Sequence, residues 1–94
     1  MNAFVTQIID GDTFEIEKGW KWNNQTGERV RPTGYDAPEK GTAEGAKATE
    51  KLRNLIKGKE IEIKSAKTID RGRLVCDVYF QGKTLADYFP EYKN

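Results

Sequence analysis

Arg31-Pro32-Thr33-Gly34-Tyr35-Asp36-Ala37-Pro38-Glu39 packs an arginine, two acids and a proline-stiffened turn into nine residues. If residues 30–35 are extended, Asp36 sits where that strand ends. Pro38 biases Ala37 away from helix and fixes its own φ, so Glu39 leaves the turn at a defined angle. A guanidinium on the strand, aimed at two carboxylates just beyond it, suggests a phosphate held beside a metal ion. Taken alone, the same residues also read as a surface ion pair followed by an ordinary turn.

Working outward, the chain on either side reads as short strands around one helix. Residues 4–9 are β-rich, Asp10-Gly11-Asp12 is a turn signal, and residues 13–17 alternate with period two, so the three together predict a hairpin with Phe14 and Ile16 facing inward. Residues 18–28 read as a polar loop carrying Trp20 and Trp22, which share one face if that part is extended. Such a pair can stack on nucleic-acid bases, and it can equally cover the edge of a core. Thr42 is a candidate N-cap, and Ala46, Ala48, Leu52, Leu55 and Ile56 make the apolar face of a helix that Gly58 ends. Residues 60–64 and 74–80 predict a second hairpin joined through Asp70-Arg71-Gly72-Arg73, and residues 84–89 predict one or two helical turns stopped by Pro90. Five short strands with a helix between the third and fourth predict a mainly β fold, an OB-type Greek-key barrel that binds ligands on one face.

At 94 residues the chain forms one domain, burying roughly 60 to 65% of its surface on folding. Sixteen Lys and Arg against fifteen Asp and Glu leave a net charge of +1, so nucleic-acid binding must come from local patches and not from a global field. The single cysteine, Cys76, excludes an internal disulfide and a cysteine zinc cluster, and the absence of histidine excludes imidazole catalysis and imidazole metal sites. Hard oxygen ligands remain. No apolar run approaches membrane-spanning length and the first residues lack the layout of a signal peptide. As written, the chain reads as cytoplasmic, or as secreted if it is a mature or truncated piece.

Acids and arginines therefore come from three separated segments: Asp10 and Asp12; Arg31, Asp36 and Glu39; and Arg73. In combination, Ile9-Asp10-Gly11-Asp12-Thr13, Arg29-Val30-Arg31, Asp36-Ala37-Pro38-Glu39, the helix with Gly45-Ala46 and Leu52, Gly58-Lys59-Glu60-Ile61 and Gly72-Arg73 resemble the staphylococcal nuclease (thermonuclease) family. Their order and spacing agree from about residue 4 to about residue 85, with a C-terminally shortened single domain over 1–94. The resemblance implies an OB-fold endonuclease that binds Ca²⁺ and hydrolyses DNA and RNA at the bond to the 5′ oxygen. By position it implies that Asp12, Asp36 and the Ala37 carbonyl ligate calcium, with Asp10 and Thr13 behind them. Glu39 becomes the general base or water-orienting residue, and Arg31 and Arg73 grip the phosphate.

Residue chemistry suits these roles: calcium takes six to eight oxygen ligands, and arginines stabilise charge on five-coordinate phosphorus. Singly, Asp10 and Asp12 could only form a turn, Arg73 could only pair with Asp70, and Glu39 could only cap the helix. The expected substrate is single-stranded or loosely paired nucleic acid and the expected state a monomer or weak dimer, with no membrane partner. A non-catalytic OB module that binds nucleic acid or protein is the alternative.

Overall fold

Strict alternation builds the strands. In Arg73–Phe80 the side chains of Leu74, Cys76, Val78 and Phe80 are buried while those between them are partly exposed, the pattern of a sheet with one face on a core. The computed structural model describes residues 1–94. Its order is β1 (Asn2–Asp10), β2 (Thr13–Trp22), β3 (Gln25–Pro32), α1 (Ala43–Ile56), β4 (Glu60–Asp70), β5 (Arg73–Phe80) and β6 (Lys83–Thr84), then two 3₁₀ turns, Leu85–Tyr88 and Pro90–Tyr92. The sheet runs β3-β2-β1-β4-β5-β6, and a parallel pairing of β3 with β5, from Arg29↔Arg73 to Pro32↔Cys76, closes five strands into a barrel. This is the predicted OB-type topology, with β6 as a short addition on β5.

Pro32 does not interrupt the ladder. Thr33 N donates to Cys76 O at 3.0 Å, so by alternation the Pro32 nitrogen faces β2, whose pairing with β3 has already ended at Phe14↔Val30. Closure fills the interior with a single cluster that includes Val5, Phe14, Ile16, Val30, Leu52, Ile56 and Cys76. Burial pushes the Cys76 thiol up to about 12, with the neighbouring Asp77 adding to it. The folded protein is therefore expected to resist a thiol-labelling reagent and to react only in denaturant, which a spectrophotometric thiol titration with and without denaturant checks.

Four expectations change. Residues 18–28 are strands, not a loop: Asn23 and Asn24 both take positive φ (51° and 63°), which makes a two-residue hairpin turn between β2 and β3. Their polarity hid them, because Gln25, Thr26 and Glu28 are exposed. Likewise β4 runs on to Asp70, beyond the predicted end at residue 64, since register shifts around Ala66 break its alternation. On α1 the buried stripe is Gly45, Ala48, Thr49, Leu52 and Ile56, while Ala46 is exposed. Pro90 opens a second 3₁₀ turn instead of ending helical structure, a position where its missing N–H has no intrahelical acceptor to lose.

The C-terminal turns brace the stretch from which the sequence was read. Tyr35 is fully buried and stacks on Phe89 with ring centroids 4.7 Å apart. Asp36 N donates to Tyr92 O at 3.1 Å, and Asn94 N to Gly34 O at 3.0 Å. The loop after β3 is thus held from behind by residues at the other end of the chain. No helix is long and apolar enough to cross a membrane.

Candidate active site

The β1–β2 hairpin ends in a tight turn because Asp10 Oδ1 accepts the Asp12 amide at 3.0 Å, a side-chain substitute for a backbone turn bond. That bond aims Asp12 at the loop after β3. Its Oδ2 accepts the Ala37 amide at 3.1 Å and lies 3.4 Å from Arg31 Nη2, and its Oδ1 accepts from Thr13 Oγ1 at 3.4 Å. Gly11 allows this approach, since a Cβ there would fall 2.7 Å from both Ala37 Cβ and Ala48 Cβ. Turn, loop and helix therefore meet at a position only glycine can fill. Tyr35 secures the same point, its hydroxyl donating to Gly11 O at 2.9 Å. Burial raises the Tyr35 hydroxyl far above its ordinary range, so it stays a donor.

Arg31 is the hub. Nη1 donates to Pro32 O at 3.1 Å and Tyr35 O at 3.5 Å, which leaves Nη2 to face Asp12 and to pair with Asp36. Arg73 arrives from β5 across the closed seam: Nη1 donates to Thr13 Oγ1 at 3.2 Å and Nη2 pairs with Asp70 Oδ2 at 2.6 Å. The Asp70–Arg73 connection is a two-residue turn with Arg71 and Gly72 at positive φ, and this short link is sufficient to deliver the guanidinium. Asp12 carries the electrostatic strain. Burial above all, then its contact with Asp10, raises its carboxyl above the ordinary range, with Arg31 pulling the other way.

Seven of the residues read from the sequence, Asp10, Asp12, Thr13, Arg31, Asp36, Ala37 and Arg73, thus form one connected cluster. The Glu39 side chain lies exposed on the same loop and makes no hydrogen bond or ion pair with them, while its carbonyl accepts from Thr42 Oγ1 at 2.8 Å at the start of α1. The stacking role for the tryptophans is corrected for Trp20. That ring is buried, and its Nε1 donates to Arg29 O at 2.8 Å where a bulge at Lys18 and Gly19 breaks the β2–β3 ladder. So buried, it offers no face to a base. Trp22 is partly buried against the same core.

The donors suit a hard divalent cation: Asp12 and Asp36 face one guanidinium nitrogen with Asp10 a hydrogen bond behind, and the chain has no histidine and one buried cysteine. No three acidic side chains gather closely enough to enclose an ion alone, so an ion held here would need carbonyls and water to complete its shell.

Sequence reasoning missed Tyr35 and Phe89 as supports, and missed why Gly45 is glycine. A Cβ on Gly45 would lie 1.9 Å from the Glu39 carbonyl oxygen.

The fold and the site together define a closed five-stranded OB barrel whose wall carries linked acids and arginines. The chain is similar to a micrococcal nuclease of Shigella flexneri, 40% identical over 76 residues, which are 80% of this chain and 40% of that relative. It is also similar to uncharacterized endonucleases of Escherichia coli O157:H7 and Escherichia coli, each 29% identical over 75 residues, 80% of this chain and 46% of the relative. The chain spans less than half the length of each of these relatives. No family model matches it. With barrel and motifs agreeing, the fold is consistent with a staphylococcal-nuclease-like OB-fold domain.

Proposed function

We propose that this chain is a phosphodiesterase that cleaves DNA or RNA, using calcium and favouring single-stranded or loosely paired substrate. The observation that carries the proposal is the meeting of Arg31 and Arg73, from strands joined only by barrel closure, around Asp12, Thr13 and Asp36. The relatives named nucleases support the same reading. Asp12, Asp36 and the Ala37 carbonyl would hold calcium, which supplies polarisation of a phosphoryl oxygen when bound. Arg31 and Arg73 are permanently charged forks suited to the extra negative charge of five-coordinate phosphorus. Both already hold acids, so substrate phosphate competes for nitrogens that are fixed in place. Glu39, exposed and unpaired, is free to accept a proton from an attacking water. The barrel wall, a sheet face of the kind on which OB-folds lay single strands, supports the preference for unpaired strands.

The test is digestion of denatured and duplex DNA with calcium, with chelator, and by Glu39→Gln. Cleavage of denatured DNA is expected to need calcium and to fall by about 10² to 10⁴ in the variant, with unchanged melting temperature. Absence of calcium-dependent cleavage would favour a binding module. Undiminished cleavage by Glu39→Gln would remove Glu39 from the mechanism.

A further inference from the structure

We infer that Arg29 is a second phosphate contact, so that the site takes a polynucleotide strand bearing at least one phosphate beside the one that is cut. This inference rests on the nuclease reading above. The closing seam places Arg29 directly beside Arg73 in a parallel ladder, and both point outward because the adjoining Val30 and Leu74 face the core. Across four strands the row reads Glu15, Arg29, Arg73, Asp70. Like charges directly opposite one another destabilise a sheet. Here each guanidinium is tied to the acid on its far side, Arg29 to Glu15 at 3.2 Å and Arg73 to Asp70 at 2.6 Å. Within that row no acid stands between the two arginines.

Arg29 differs from its neighbours in what it still has to offer. The side chains of Arg31 and Arg73 are less than one-fifth exposed and multiply bonded, whereas that of Arg29 is 52% exposed and bonds only Glu15. It lies two residues from Arg31 on the same face, about 6.6 Å along the strand, a step comparable to that between neighbouring phosphates of an extended chain. Its backbone is also pinned. Trp20 donates to Arg29 O, and that indole lies so close over Gly27 that a Cβ there would fall 2.6 Å from the ring. A surface pair alone explains Glu15 beside Arg29 but does not call for a second arginine in register.

The test is fluorescence anisotropy of a labelled oligothymidylate of about ten nucleotides, within the span one OB-fold covers, titrated at several salt concentrations in chelator, followed by steady-state cleavage with calcium. For Arg29→Ala the slope of log affinity against log salt is expected to shrink by about 0.7, the loss of one phosphate contact on a single strand. The dissociation constant at low salt should rise roughly tenfold, and KM with it, without a matching fall in kcat. Arg29→Lys should restore the salt slope. Glu15→Gln, which frees the guanidinium, should tighten binding, whereas a purely structural pair predicts that breaking it from either side never improves affinity. Wild-type binding and cleavage with an unchanged slope and KM in Arg29→Ala would overturn this inference and leave the nuclease reading standing. A wild type that neither binds nor cuts would overturn both.

Discussion

Arg31→Gln should abolish most turnover, lowering kcat by about 10² to 10³, the usual effect of removing one preorganised group from a developing oxyanion. Glutamine keeps a hydrogen-bonding plane but no charge, so the comparison isolates the cation. The same change exposes the strain in the acid pair. Asp12 is already held above its ordinary value of 3.8 by burial and Asp10, and Arg31 opposes them. A carboxyl raised in the folded state keeps its proton longer than in the unfolded chain. Its favourable contribution is therefore present below 3.8 and is lost as pH rises through the folded value. Without Arg31 that loss deepens. The gap in melting temperature between wild type and variant, measured by calorimetry in chelator, is expected to widen from acid to neutral pH. A constant gap would mean that Arg31 does not stabilise the ionised form of Asp12.

Gly45→Ala should destabilise the protein although glycine to alanine inside a helix is ordinarily favourable by about 1 kcal/mol. The added carbon would meet the Glu39 carbonyl at 1.9 Å, and that oxygen belongs to backbone already engaged by Thr42. Neither side can yield without moving the loop or unwinding the first turn of α1. Overpacking of this kind costs about 1 to 3 kcal/mol, which in a domain of this size lowers the melting temperature by roughly 5 to 15 °C. Because Glu39 and Ala37 ride on the same loop, activity should fall further than stability explains. The check is kcat measured well below the melting transition. A variant as stable and active as the wild type would show that the loop has room to move.

The clustering of the candidate site was legible from sequence because most of its residues lie in two short runs. Asp10 to Thr13 and Arg31 to Glu39 carry their own turn geometry, so carboxylates and guanidinium share a neighbourhood before any tertiary contact is known. Arg73 was legible only through its place in the order of motifs, and the seam that delivers it is a long-range pairing. What stayed hidden follows from space, not composition. Polar residues at the barrel's end, such as Gln25 and Thr26, form strands without alternating burial. The need for Gly45 is set by a carbonyl that approaches from another loop. Tyr35 finds Phe89 across most of the chain, and nothing local to either residue announces the stack.

Thr13 and Arg73 are 60 positions apart, and the helix and β4 lie in the chain between the strands that carry Arg31 and Arg73. Zipping those strands together closes a long loop against entropy, which places it late in folding. If cleavage needs both guanidiniums, recovery of cutting after dilution from denaturant reports the final stage of folding, while fluorescence of the early hairpins reports the first. A nascent chain caught midway would then be harmless to nucleic acid in the cell that makes it.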